Sequence, residues 1–435
     1  MRRAAAAAAL ALAAGPTFGA RAGAQGFEPP PVTLPTPARG AGAPTIYLMT
    51  FGRGDAVWER YAHNAVRVVD PADGTDLAYN WGEFDFAQPN FLGRFLTGDT
   101  KYSMRAYDAP AFAEAYARRF NRAVYVQELA VAPGAARALA DSLRAFDTEA
   151  RRYYRYDYYN DNCSTRVRDA LDFAAGGAIR RALAGRPAGT TWRADTRRLN
   201  AGDAAIYTGI QLALGRPADR PLDRWASAYL PLDLRESVRG VRVPGPAGAA
   251  VPLVRSEATV WGAPGRAPDP ARPPSYLLGY AGAGAALAAA FATLGAAARR
   301  GGLGARAGLA VAAGVWALAT GALGAALVLA GTVTKHAAYM GRNWNLLGIN
   351  PLSLLLFGLV LAAAFGRPDE GRRRRGRRAA RLAALVAALA GVGAVAVLLP
   401  GAGQRSAEVF ALLVPAHAGA WWALSRLAAG AAREA

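Results

Sequence analysis

The pattern of apolar and polar positions changes near residue 260. Up to that point apolar residues come in short runs broken by polar, aromatic and charged ones. Segments 46–51, 64–69, 77–81 and 125–131 alternate or run apolar over strand lengths, with a Pro71-Ala-Asp-Gly74 turn between the second and third. Residues 112–120 carry a helical period. So do residues 135–153, with Leu139, Leu143 and Phe146 on one stripe, and a further helix opens at Cys163 and runs to about Phe173. Strands packed with helices that do not strictly alternate predict an α+β domain over residues 44–260.

Beyond residue 260 the chain is Ala, Leu, Val and Gly, with charge gathered into clusters. Five segments, approximately 276–298, 307–331, 346–365, 382–399 and 409–427, are long and apolar enough to cross a bilayer, the fourth being the shortest. Their small residues suit close helix packing in lipid, so an all-α transmembrane bundle is expected over 276–435, after a linker at 261–275. Arg299, Arg300 and Arg306 follow the first span, and an Arg-rich loop at 367–381 follows the third. Both lie on one side, which positive charge marks as cytoplasmic. The N-terminus agrees independently. Arg2 and Arg3, an apolar run at 4–14 and Ala22-Gly-Ala24 read as a signal peptide over residues 1–24, followed by a Pro-, Ala- and Gly-rich linker at 25–43. The expected arrangement is a multi-pass protein of a bacterial inner membrane, with the first domain periplasmic and the C-terminus cytoplasmic.

Charge changes this picture little. The net charge is +20, the excess being almost all arginine and much of it lying in loops beside apolar segments, and no basic face coincides with a nucleic-acid motif. No nucleic-acid partner is expected. One cysteine precludes an intrachain disulfide, and one Cys with three scattered His offers no metal-ligand spacing and calls for no cofactor.

Two polar clusters carry chemistry. The first is Tyr61-Ala-His63-Asn64 with Tyr79-Asn80-Trp81-Gly82; the second is Asp161-Asn162-Cys163-Ser164-Thr165-Arg166-Val-Arg168-Asp169. Cys163 follows a turn-rich polar loop and begins a helix, where the dipole and free N–H groups favour a thiolate. A thiolate nucleophile needs a base, and only His63 lies in the same domain; His336 and His417 belong to the membrane part. Asn64 or Tyr79 would orient His63. Asn162 serves either an oxyanion or the helix as its N-cap. Ser164 and Arg166 complete the cluster, with Arg166 and Arg168 pairing to a carboxylate or, as the second reading, contacting a lipid phosphate. The outer loop between the second and third spans, 335–351, is unusually polar. Its His336, Asn343 and Asn345 are either candidate substrate contacts or head-group-level residues of an interfacial loop.

Several stretches together resemble the Lnb-type N-terminal periplasmic domain family. They are His63-Asn-Ala-Val-Arg-Val, the run from Tyr79-Asn-Trp-Gly to Phe86, Pro89-Asn-Phe91, Asn162-Cys-Ser-Thr-Arg166, Asp169, Leu214-Gly-Arg-Pro-Ala-Asp219 and Tyr229-Leu-Pro231. The resemblance implies a permuted papain-like (NlpC/LRAT-like) fold, with the His strand before the Cys helix. It also implies lipoprotein N-acyl transfer: Cys163 takes an acyl chain from a phospholipid as a thioester, with His63 as base, and passes it to the N-terminal amine of a lipoprotein. Phospholipid, lipoprotein and membrane lipids are then the partners. The rival readings are a Cys–His hydrolase acting on cell wall or lipid, and a membrane-anchored binding protein in which the pair does no chemistry.

Overall fold

The computed structural model describes residues 32–37, 42–85, 87–245, 248–365 and 370–430. The signal peptide and most of the linker expected at 25–43 lie outside these residues. The described part of that linker is no exposed tether: Leu34 is buried, and the Pro35 carbonyl accepts from Arg67 at 2.7 Å.

The first domain is built on a seven-stranded sheet in the order β6-β4-β3-β2-β1-β5-β9, every pairing antiparallel. The strands are β1 (Thr45–Phe51), β2 (His63–Asp70), β3 (Thr75–Glu83), β4 (Lys101–Asp108), β5 (Val124–Leu129), β6 (Tyr153–Arg155) and β9 (Val254–Trp261); β7 (Arg242–Pro244) and β8 (Ala250–Pro252) pair separately. Strand alternation sends Ile46 and Leu48, Val66 and Val68, and Tyr79 and Trp81 to one face. There they pack against Leu139 and Leu143 of the Pro133–Phe146 helix and against Val167 and Leu171 of the Cys163–Ala174 helix. The buried Asp70 carboxylate ties β2 to the first of these helices through Arg137 and Arg144, at 2.5 and 2.6 Å.

Two differences from the sequence reading have plain causes. The helix expected over 135–153 stops at Phe146, because the next residue, Asp147, turns its carboxylate to the Ala106 amide of β4 at 3.0 Å. The chain then returns to the sheet as β6. Strands β4 and β9 are absent from the sequence reading: half of each is polar or charged, and the neighbouring strands supply what apolar content does not.

Among the described residues, five helices are long and apolar enough to cross a membrane: Leu277–Arg299, Leu303–Val333, Trp344–Phe365, Glu370–Leu398 and Ala407–Ala428. The fourth is not short. The arginine run expected to be a loop is helical from Glu370 onward, and Arg372 and Arg375 donate to the Ala363 and Ala362 carbonyls at 2.7 and 3.2 Å. They thereby satisfy carbonyls that the end of the preceding helix leaves open. The first and last spans approach until their backbones touch: a Cβ on Gly419 would meet the Ala288 Cα at 2.5 Å, so only glycine fits there.

The domain and the spans are bolted together through the Trp192–Leu199 and Ala204–Ala213 helices. Asn343 gives its amide donors to the Leu212 and Ala213 carbonyls at 2.8 and 3.1 Å, and Asn345 gives its own to Gln211 and Leu212 at 2.8 and 3.1 Å. Gln404 and Ser406, just ahead of the last span, hold the two asparagine oxygens from behind. Beside them, Glu408 receives Arg197, the Tyr207 hydroxyl and the Tyr276 amide at 2.8, 2.8 and 3.0 Å. Asn345 has no exposed surface. Asn345→Ala removes the amide's bonds to Gln211 and Leu212 and leaves the Ser406 hydroxyl without its acceptor, a cost of about 2 kcal/mol. The expected result is a melting temperature lowered by several degrees in thermal unfolding of the detergent-solubilised protein; an unchanged melting curve would contradict it.

Candidate active site

His63 opens β2 opposite Phe51 of β1, directly after Ala62, whose φ of 67° turns the chain into the strand. Its ring is layered with Phe51 (centroids 6.1 Å) and Tyr116 (5.8 Å, planes 5° apart), which fix the imidazole plane. The edge of the ring is fixed by Asn80, whose Oδ1 meets Nε2 in a short hydrogen bond. The Asn80 amide nitrogen is itself engaged by Glu83, which leaves only oxygen to face the imidazole. Nε2 therefore carries the proton and Nδ1 keeps its lone pair, the tautomer a general base requires.

Neither Asn64 nor Tyr79 makes this contact. Asn64 points to the opposite face, where its amide joins the Ser164 hydroxyl at 3.1 Å. Tyr79 is buried in the core on that face too. The signal for Asn80 was present in strand parity: Asn80 pairs with Ala65, two residues from His63, so it shares the His63 face, and its neighbour Tyr79 cannot.

Cys163 begins its helix under a full capping box. The Asn162 side chain accepts from the Thr165 amide at 2.9 Å, and the Thr165 hydroxyl accepts from the Asn162 amide at 2.8 Å. The Asn162 amide donors go to the Tyr158 and Tyr229 carbonyls, so its geometry is that of the cap and leaves no donor for an oxyanion. Ser164 is wholly buried and donates to the Ala228 carbonyl at 2.8 Å. Arg166 forms a two-point pair with Asp161, and Arg168 pairs with Asp169 while lying 3.9 Å over the Trp225 ring. All four hold the helix start in place.

Gly82 joins the two halves. It sits at an irregularity of β3 with φ 109°, and a Cβ there would lie 3.7 Å from both the Cys163 Cβ and the His63 Cε1. Cys163 and His63 thus both border Gly82, whose positive φ favours glycine. Both side chains retain some surface yet stand deep in surrounding protein. Burial pushes the Cys163 thiol up to about 11; the amides of Asn64 and Ser164 and the charge of Arg122 pull the other way but do not prevail. Burial and the Arg122 charge hold His63 down to about 4 against the pull of Asn80. At neutral pH the pair is a neutral thiol beside a neutral imidazole. This corrects the expectation of a resting thiolate, because desolvation outweighs the helix terminus.

Arg122 is the residue that motif reading missed. It is buried, donates to the Gly52 carbonyl at 2.7 Å, faces Glu59 at 3.7 Å and lies 4.7 Å over the Tyr116 ring that stacks on His63. In sequence it is one more arginine among many. The outer-loop candidates lie elsewhere. Asn343 and Asn345 are the bolts described above, and His336 binds the Phe95 carbonyl and the Tyr339 hydroxyl, each at 3.0 Å. No cluster of three His, Cys, Asp or Glu side chains suited to a metal occurs among the described residues.

The neutral pair sets a pH signature. Alkylation of Cys163 by iodoacetamide should keep rising from pH 6 toward pH 10, since the thiol ionises only near 11. A rate already level from pH 5 upward would mean a preformed ion pair and contradict the assignment. Because His63 is depressed, the unfolded chain takes up its proton first on acidification. Stability from this group is complete above the ordinary imidazole range and is lost as pH falls toward 4. His63→Phe should flatten that part of a stability-versus-pH curve.

No curated protein and no solved structure matches the chain. Residues 41–199, which hold the β1–β3 strands, His63, Asn80 and Cys163, match the family model of the Lnb N-terminal periplasmic domain. The Leu214–Asp219 and Tyr229–Pro231 stretches lie beyond the matched span. Residues 41–199 therefore form a domain of the Lnb N-terminal periplasmic kind, and with five apolar helices following it among the described residues the chain is a multi-pass membrane protein.

Proposed function

We propose that the protein is a cysteine-dependent acyltransferase that moves a fatty acyl chain from phospholipid, through a thioester on Cys163, to the N-terminal amine of a lipoprotein. The observation that carries this reading is the convergence of Cys163 and a tautomer-fixed His63 on Gly82, in a domain bolted to a membrane bundle. The His-strand-then-Cys-helix order is consistent with the permuted papain-like fold that the family resemblance implies. The arginine clusters are consistent with a cytoplasmic C-terminus and a site at the outer leaflet.

In the first half-reaction His63 Nδ1 takes the thiol proton as Sγ attacks the ester carbonyl carbon. The oxyanion meets the backbone N–H of Ser164 at the helix start and that of Asn64 on β2, both of which already aim at sulfur. Collapse breaks the ester C–O bond, and the imidazolium returns its proton to the departing lysophospholipid oxygen. In the second half-reaction the lipoprotein α-amine, in its neutral form, attacks the thioester. His63 takes a proton from the nitrogen and delivers it to the leaving sulfur, and an amide and a free thiol result. No oxidant, metal or cofactor is required. A neutral resting pair suits both halves, because the same imidazole must accept and return a proton in each.

Water as acceptor would give a hydrolase from the same intermediate. The bolted membrane bundle favours transfer, since donor and acceptor both reside in lipid. The test is reconstitution in phospholipid vesicles with a lipidated N-terminal cysteine peptide, scored by mass for amide-linked acyl chain. Wild-type protein should form it. Cys163→Ala should form none, and His63→Ala should lose at least about a thousandfold in rate. Asn80→Ala should lose on the order of 100-fold, in kcat more than KM, as expected of a residue that sets the imidazole tautomer. Free fatty acid in place of acylated peptide would establish hydrolysis instead.

A further inference from the structure

We propose that the short helix Phe91–Thr97 is seated in the outer leaflet and forms the lip over which a lipid acyl chain enters the site. This rests on the acyl-transfer reading above and names the route by which its donor arrives. Leu92, Phe95 and Leu96, at helical positions i, i+3 and i+4, form one face and are 55%, 41% and 60% exposed. An apolar face of that kind is costly in water and favourable in lipid.

Its height relative to the bilayer is set by direct attachment to a membrane span. The Thr97 carbonyl accepts from the Lys335 amide at 3.0 Å, and the Phe95 carbonyl accepts from His336 Nε2 at 3.0 Å. The Lys335 ammonium pairs with Asp99. Lys335 stands two residues past Val333, the last residue of the second span, which is itself 75% exposed. The helix is therefore continuous with the lipid-facing end of that span. Arg94, Lys101, Arg155 and Lys335 border it, the charge that phosphate head groups require.

Beside the strand that this helix feeds runs a series of aromatic contacts. Trp58, 62% exposed, meets Phe84 (6.4 Å), which meets Tyr102 (5.2 Å), which stacks on Tyr156 (4.2 Å). Tyr102 lies five residues past the helix end, on the strand that the helix feeds, and Tyr156 donates its amide to the Thr100 carbonyl beside it at 3.0 Å. Phe84 lies two residues past Gly82, which borders both Cys163 and His63. Tyr102 and Tyr156 stand near enough to Cys163 to feel the charge of its thiolate. The occupant for which this path is suited is a hydrocarbon chain whose ester reaches Cys163 while its head group stays at the basic rim.

The test uses the full chain in phospholipid vesicles. In a Cys163→Ser background, Leu92→Cys, Leu96→Cys and, as an aqueous control on the Pro133–Phe146 helix, Asp141→Cys are each given a nitroxide. Collision with oxygen relative to a water-soluble nickel chelate should be at least about threefold higher at 92 and 96 than at 141. Equal values at all three positions would overturn the proposal. Separately, Leu92→Asp/Leu96→Asp in the Cys163 protein should lower acylation by vesicle phospholipid, relative to acylation by a soluble short-chain thioester, at least about tenfold. An unchanged ratio would overturn it too. Wild-type protein that takes an acyl group from neither source, while labels at 92 and 96 sit in lipid, would count against acyl transfer and for the seated helix.

Discussion

Everything in this protein depends on the periplasmic domain being held at a fixed height on a membrane bundle, and a few buried amides do the holding. Asn343 and Asn345 close on the last turn of the Ala204–Ala213 helix, and Gln404 and Ser406 close on them. Each link is a hydrogen bond worth little on its own. Buried together, they form a network of shared donors and acceptors, which makes the joint hard to loosen piecemeal. The buried Arg193–Asp219 pair, at 2.7 Å, extends it: Arg193 also donates to the Gln211, Leu214 and Gly215 carbonyls of the same segment. A joint of this kind costs desolvation of polar groups, and it gains a defined geometry between sheet and spans.

The site illustrates the same exchange on a smaller scale. Burial keeps Cys163 protonated and His63 neutral, so the resting thiol is weakly reactive. What the fold provides instead is arrangement. Stacked rings fix the imidazole plane, Asn80 and Glu83 fix its tautomer, and the capping box fixes the helix that carries the thiol. A lone periplasmic thiol that stays protonated also resists oxidation. Arg122 tempers the balance by drawing the thiol down and by holding the imidazole unprotonated.

Much of this was legible in the chain because strong periodicities name their elements. β1, β2, β3, the Cys163 helix and the five spans follow from apolar spacing and length. The Cys163–His63 candidate pair follows from scarcity, since a chain with one cysteine and three histidines offers few partners. Other features could not be read in the same way. The outer-loop polarity of Asn343 and Asn345 looked like a surface, but polar side chains gather as readily at a buried joint, and only tertiary contacts separate the two. Arg122 is hidden by the abundance of arginine. β4 and β9 gain their stability from sheet partners distant in sequence. The resting state of Cys163 turned on desolvation, which local sequence does not encode.

The most direct test of the central claim is mass spectrometry of the Cys163 peptide from protein purified out of membranes and supplied with phospholipid but no amine acceptor. The account predicts a hydroxylamine-sensitive fatty-acyl adduct on Cys163 in wild-type protein, strongly reduced in His63→Ala and absent in Cys163→Ala. An unmodified Cys163 under those conditions, in protein whose thiol still alkylates, would contradict it.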